Sequence, residues 1–553
     1  MNRLRKAGNY FRTLKYLRFA QVFWQVAYRI YRPRIPDLPD RLPLRQASGN
    51  WVDGMVKTAA IQEKRFCCLH EAHTLDSAVV WETTHASRLW RYNLHYFDFI
   101  HGDTGDRDAD DSLRLMERWV AEHPAGTGWE PYPLSLRIVN WIRFHLEKKP
   151  LSKELLHSLV RQGQLLSRQL EYHIGANHLF SNGKALTFAG LFFEGAKAEQ
   201  WLRKGTRILR KQIPEQFLED GGHYERSPLY HSVLLEDLLD LRNLLQIYPV
   251  AALADLRQLL ENTIEKAQKW LDLMTTSGGR FPLFGDSYPD TAPKREELRH
   301  YGQRLGTETP YERSASQYLK SSGYLRVEVD PKTLLFATLS GPKPDYQPGH
   351  SHADTFSFEL FCGEIRLIAD TGVSGYAPTP ARLESRQTAA HNTLQLDAQD
   401  SSEVWSSFRV GRRASVGRIN YKCEHGITEC SACHDGYRFL RGRPLHRRQW
   451  KVEPNRRAVT IVDSVDTTAS HEVMIRFHAG EGLQWQEAMD NTWELRRGAA
   501  TQLRLLPVTS LTYRSLTGTV YPEMGNPLPV SVLEARGSIE QHSSFQHQLI
   551  LLA

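Results

Sequence analysis

The chain has 553 residues, 41% of them hydrophobic and 24% charged, with a formal net charge of +7. This excludes a disordered or collagen-like polymer and leaves room for two or more domains. The positive excess comes with 13 Trp and 22 Tyr, which suits an anionic polymer. Polysaccharide and nucleic acid both meet that criterion, and the lack of any recognised nucleic-acid motif turns the expectation away from nucleic acid.

The N-terminal stretch, MNRLRKAGNYFRTLKYLRFAQVFWQVAYRIYRPR, is basic and aromatic and has no unbroken apolar run. It therefore reads neither as a signal peptide nor as a spanning helix, and the expected location is cytoplasmic, with the periplasm as the alternative. An amphipathic helix docked on its own domain is expected here, with contact to a membrane surface as the alternative. A Pro-rich connector closes residues 1–45, and residues 46–85 read as irregular or β-containing.

From Leu89 the pattern turns helical and aromatic. Leu134, Ile138, Ile142 and Leu146 recur at i+4; Leu155, Leu159, Leu166 and Leu170 mark the next helix, and Leu256, Leu260, Ile264, Ala267 and Leu271 mark a longer one. These are amphipathic stripes of period 3.6. They predict an all-α domain over 46–318, with its boundary in or just before residues 314–323. Beyond it, short alternating runs such as Leu325-Arg-Val327-Glu-Val329 and Phe356-Ser-Phe358-Glu-Leu360 predict an all-β, sandwich-like domain over 319–553.

Cys430 and Cys433 precede His434 in a C-x-x-C-H pattern, the signature of c-type haem attachment. A haem protein of that type would be exported, and free thiols are the expectation for all six cysteines.

Chemistry-bearing residues gather at a few places. Asn177 and His178 stand together where Gly175 should start or break a helix. Asp220–His231, DGGHYERSPLYH, crowds Tyr224, Glu225, Arg226, Tyr230 and His231 at a helix start. Trp129 and Arg137 make an aromatic and basic group, and Phe281–Asp286 forms another on a loop. In the β part, His350 and His352 lie at the mouth of a strand, and Asp370 and His391 sit beside others. Two imidazoles and one carboxylate, His352, Asp370 and His391, make a competent zinc set. Each taken alone also has a plainer reading as a cap, a core histidine or a turn.

Five stretches in this order, YNLHYFDF (92–99), ANHLFSNGKAL (176–186), DGGHYERSPLYH (220–231), GHSHADTFSFEL (349–360) and HNTLQLD (391–397), resemble the heparinase II/III-like polysaccharide lyases. The resemblance implies an N-terminal (α/α) toroid of helical hairpins followed by an antiparallel β-sandwich. It also implies β-elimination at a uronic acid, on an anionic polysaccharide or oligosaccharide of the kind handled in bacterial exopolysaccharide metabolism. On this resemblance Asn177 meets the sugar carboxylate, Tyr230 is the acid and in some members also the base, and His178 and His350 flank the reacting sugar. His95, Tyr96, Trp129, Arg137, Tyr224 and Glu225 would bind substrate. His352, Asp370 and His391 would hold a structural zinc, with no organic cofactor. Two rival readings stay open: a glycoside hydrolase using Glu225 and Asp286 as paired carboxylates, and a non-catalytic polysaccharide-binding or assembly protein.

Overall fold

The computed structural model describes residues 3–31, 33–37, 41–62, 65–69, 71–74, 81–102, 108–307 and 316–552. Two helices come first, α1 (Arg3–Leu14) and α2 (Phe19–Ile30). A three-stranded antiparallel meander follows over Ala60–Thr74, the β-containing stretch expected there. The helical domain then runs through α3 (Arg88–Tyr96), α4 (Ala109–Glu122), α5 (Pro131–Glu147), α6 (Lys153–Leu166), α7 (Ala176–Phe192), α8 (Ala196–Gln216), α9 (Pro228–Ile247), α10 (Ala254–Leu273) and α11 (Arg295–Arg304).

The centre of this domain is α7, which packs against α5, α6, α8 and α9. All but one of its residues are buried, Asn182, Lys184 and Thr187 among them, so burial on every side rather than an amphipathic stripe marks it as the centre of the core. Close approach of α8 depends on small residues: a Cβ at Gly190 would lie 2.5 Å from the Leu202 nitrogen, and one at Gly205 2.7 Å from the Gly183 carbonyl oxygen. Lys184 extends from α7 to the Asp237 and Asp240 carboxylates of α9, at 2.6 Å each. Tyr301 of α11 donates to Asp240 at 3.0 Å. A charge sunk this deep is tolerated because its partners are equally buried.

The β part begins with Ser316–Leu319; residues 308–315, on which part of the expected boundary falls, lie outside the described ones. Strands Ser316–Leu319, Tyr324–Asp330, Thr333–Thr338, Phe358–Cys362 and Ile365–Ile368 form a five-stranded antiparallel meander. An eight-stranded and a four-stranded antiparallel sheet follow, and alternate residues of the three share one apolar core. The expected order, helical domain then antiparallel β domain, is what the structure shows.

The haem-like stretch is an ordinary strand, Ile427–His434. Cys430 and Cys433 are free and buried, and His434 is hydrogen-bonded to His446 at 2.9 Å.

Candidate active site at the domain junction

Three segments are stitched together where the helical and β parts meet. Ser227 caps α9, its Oγ accepting from the Tyr230 amide at 3.3 Å and donating to the Asp286 carbonyl at 2.7 Å. The Asp286 amide in turn donates to the His350 carbonyl at 2.9 Å. Gly285 has φ +56°, and a Cβ there would sit 2.7 Å from the His350 carbonyl oxygen, so the approach requires glycine. Capping, turn and strand entry thus fix Tyr230, Asp286 and His350 relative to one another.

The side chains converge on the same point. The Tyr230 ring stacks on the His350 imidazole with centroids 3.9 Å apart. His350 Nδ1 donates to Asp286 Oδ2 at 2.9 Å, which leaves Nε2 facing the opposite way, 3.7 Å from Glu225 Oε1. Tyr230 Oη lies 3.1 Å from the Tyr376 hydroxyl. Burial, with Tyr288 and Asp286 nearby, pushes the Tyr230 phenol well above its ordinary pKa, though the Tyr376 hydrogen bond opposes this. Such a phenol keeps its proton and is suited to give it to a better base.

Asp286 is the hub. Its carboxylate accepts from both Arg382 terminal nitrogens, at 2.5 and 2.8 Å, and from His350 and His352, at 2.9 Å each. Burial alone would raise its pKa, but Arg382 and the two histidines hold it well below the usual carboxylate range. With its lone pairs occupied and no exposure, it orients imidazoles and cannot serve as half of a hydrolase pair with Glu225. The paired-carboxylate reading fails on that geometry.

Facing this group, Asn177 and His178 start α7. Gly175 and Ala176 precede them with φ +74° and +51°, and Arg226, just after Glu225, has φ +55°. Non-glycine residues in this region concentrate where structure holds strain for a purpose. His178 Nδ1 donates to Glu171 Oε1 at 2.9 Å, and Asn182 holds the other Glu171 oxygen at 3.0 Å. Burial lowers the His178 pKa, but the Glu171 charge and hydrogen bond outweigh it, so the group is raised overall and its charged form is favoured. Its ring stacks on Tyr132 at 4.2 Å, and Tyr132 in turn meets Tyr96 edge-on at 5.7 Å. The Asn177 backbone N–H donates to the buried Glu225 carboxyl, leaving the Asn177 side-chain amide apart from that bond; burial raises the Glu225 pKa against the pull of His350, His178 and this hydrogen bond.

The four expected catalytic residues, Asn177, His178, Tyr230 and His350, therefore meet across the junction, with Glu225 between them. Tyr96 stands behind Tyr132. Tyr224 is buried and packs on Tyr346 rather than replacing Tyr230.

Three expected substrate-binding residues are elsewhere. Arg137 is fully buried, stacked over Trp119 at 3.9 Å and bonded to Gln162 and the His95 carbonyl. His95 and Trp129 sit in the same aromatic core, His95 accepting from Trp119 Nε1 and Trp129 donating to the His123 carbonyl. A guanidinium sandwiched by tryptophans looks basic in sequence, yet here it is core. Glu171, Tyr376 and Arg382 carry no local signal in sequence: Glu171 is a carboxylate seven residues before a histidine, Tyr376 lies on the loop after the five-stranded sheet, and Arg382 sits in the short helix Pro380–Glu384 that follows.

His352, Asp370 and His391 are gathered but not closed on a common point. His391 Nδ1 donates to Asp370 Oδ2 at 2.9 Å, and the two imidazole centroids are 5.4 Å apart. His352 Nε2 faces Asp286, so its buried Nδ1, like His391 Nε2, has no hydrogen-bond partner. Orphaned buried nitrogens of this kind fit a metal. Among the described residues, Glu82, His95 and His123 have donor atoms within 4.8 Å of one another. There, however, the Trp119 N–H occupies His95 Nδ1 at 3.1 Å. The neutral ring then carries its proton on Nε2, the atom turned toward Glu82, and is a poor ligand.

Comparison with known proteins gives the wider setting. The Heparinase II/III N-terminus model matches residues 45–305, and the Heparinase II/III-like, C-terminal model matches 312–536. A heparin-sulfate lyase of Pedobacter heparinus is 23% identical over 365 residues, 59% of this chain and 53% of its own length. FtsZ-localized protein C of Caulobacter vibrioides is 25% identical over 391 residues, 65% of this chain and 62% of its own. The chain thus spans about half to three fifths of the length of these curated relatives. A crystal structure of heparinase III superposes with a TM-score of 0.65 over 96% of this chain and 89% of that one, at 17% identity, which establishes a shared fold. With two successive domain matches covering nearly all of the helical and β parts, the chain belongs to the heparinase II/III-like family.

Proposed function

We propose that the protein is a polysaccharide lyase that cleaves a uronic-acid-containing polysaccharide or oligosaccharide by β-elimination. The observation that carries this is the stacked Tyr230–His350 pair, oriented by Asp286 and set opposite Asn177 and His178. The sugar carboxylate meets the Asn177 amide and the His178 imidazolium, which stabilise the charge that builds up as the C5 proton leaves. His350 Nε2, its other nitrogen bound to Asp286, takes that proton. The C5–H electron pair forms the C4=C5 double bond, the C4–O4 bond breaks, and Tyr230 gives its proton to the departing O4. Deprotonated Tyr230 and protonated His350 then exchange a proton through solvent to reset the site. Among the described residues no helix is long and apolar enough to cross a membrane.

His352, Asp370 and His391 would hold a zinc ion as a brace within the β part, and such an ion supplies cross-linking there rather than a step of the reaction. Exopolysaccharide is the proposed source of substrate.

The test is to incubate the purified chain with a panel of uronate polysaccharides and follow ultraviolet absorbance. A new unsaturated uronate end supports elimination; new reducing ends without that absorbance refute it. The similarity to FtsZ-localized protein C, a relative named for where it goes rather than for a reaction, favours a second reading as a non-catalytic assembly protein. Saturable binding of the same polymers with no bond cleavage would establish that reading instead.

A further inference from the structure

The helices α1 and α2 lie across both parts of the molecule. On its inner side α1 docks on the β part: Arg12 bonds to Glu403 at 2.7 Å, Thr13 accepts from Trp405 Nε1, and Tyr10 packs edge-on against Trp405. The inner side of α2 docks mainly on the helical part, with Trp24 stacked on Tyr172 and Tyr28 donating to the Leu170 carbonyl at 2.6 Å. Arg18, between them, pairs with Glu215 and lies over Tyr346.

Among the described residues, the outer side has no such partners. Phe19, Val22, Phe23, Val26 and Ile30 are all exposed, Phe19 at 84% and Ile30 at 82%. At 100° per residue they fall on one face of α2, with Gln21, Trp24 and Tyr28 on the opposite one. Phe11 (74% exposed) and Leu14 extend the apolar patch along α1. The segment that carries the stripe is cationic: the first 36 residues hold nine Lys and Arg and no Asp or Glu, Lys15, Arg29 and Arg34 are exposed, and the acidic Glu215 and Glu403 are taken up by Arg18 and Arg12 on the inner side. The stripe offers no polar atom by which a protein partner could be read. An apolar band on a helix pair whose own charges are all positive matches an anionic bilayer, with acyl chains beneath and phosphates at the rim.

We propose that the outer face of α1 and α2 is a docking surface for an anionic membrane, holding the molecule on the bilayer without spanning it. The full-length chain would be sedimented with vesicles of phosphatidylcholine, with and without phosphatidylglycerol. Binding is expected only to the anionic vesicles and should weaken as salt rises. The triple change Phe19→Ser, Phe23→Ser and Ile30→Ser should abolish binding with the melting temperature unchanged. Lys15→Gln with Arg29→Gln should weaken it about 25-fold, about fivefold per cation. Four results would overturn the proposal: no binding to either vesicle; equal binding to both; a marked fall in melting temperature for the triple variant, which would make the stripe part of the core; or concentration-dependent self-association that the triple change removes, which would make it an interface between copies.

Discussion

At the scale of single residues, the protonation states of Tyr230 and His178 differ in a useful way. Burial raises the Tyr230 pKa and favours the protonated phenol, while Glu171 raises the His178 pKa and favours its charged form. Tyr230→Phe removes the proton donor and nothing else of the ring that stacks on His350. It should cut kcat by at least about 10²–10³, the typical cost of losing one preorganised donor, with the melting curve unchanged; full retained activity would remove Tyr230 from the reaction. His178 gives a pH signature. Because its pKa is raised in the folded state, its pairing with Glu171 stabilises the fold fully below the ordinary imidazole value of about 6.5. That contribution is lost as pH rises through the raised value. The gap in melting temperature between the parent chain and His178→Gln should therefore narrow with rising pH, and a constant gap would mean the imidazole is not charged in the fold. The residues behind this chemistry were unevenly legible. Asn177, His178, Tyr230 and His350 sit in motifs, whereas Glu171 and Arg382 act only through contacts that folding creates. Arg137 was misread because a charge in sequence carries no mark of the tryptophan it will lie on.

At the scale of elements, α7 carries both the Asn177–His178 pair at its start and the buried Lys184 nearly two turns further on. Removing the lysine charge by Lys184→Met would strand Asp237 and leave Asp240 to Tyr301 and Arg143 alone, both carboxylates being sealed in the core. A buried pair broken on one side costs about 3–5 kcal/mol. Thermal or urea unfolding should show a loss of that size, and a neutral or stabilising outcome would mean that methionine packs well enough for the carboxyls to protonate or hydrate. Periodicity made the amphipathic helices around α7 readable. It could not show α7 itself, whose sides are alike, and only the glycine-assisted contact with α8 explains how so uniform a helix is enclosed.

At the scale of the whole molecule, Asp286 is the most densely bonded of several links between the two parts, which also include Trp270 and Asp220 to Ser322 and Thr276 to Glu364. Asp286 lies on the loop leaving α10, yet its bonds go to His350, His352 and Arg382 of the β part. Asp286→Asn would replace an acceptor oxygen by an amide facing Arg382, leaving a buried guanidinium short of its counter-charge. A destabilisation of about 3–5 kcal/mol is expected, with unfolding measured by calorimetry broadening or splitting as the parts uncouple, and with lyase turnover falling together with it. A single sharp, unshifted transition would show that the junction is held mainly by other contacts. The succession of a helical and a β domain was plain from the change of period near residue 320. The way a loop of one supplies the anchor for histidines of the other was not, because no periodic pattern records contacts between distant segments.

The contact between Arg12 and Glu403 joins residues 391 apart in sequence, and that separation has a meaning during synthesis. At about 5–20 residues per second, α1 leaves the ribosome about 20–80 s before its docking site exists. The Leu170 carbonyl that receives Tyr28 is 142 residues away, so α2 can be seated much sooner. The growing chain therefore carries α2 fastened and α1 loose for most of its translation, with the inner face of α1 uncovered as well as the outer. During that interval the helix is available to a chaperone or to a lipid surface near the ribosome, and completion of the β part is the event that withdraws it.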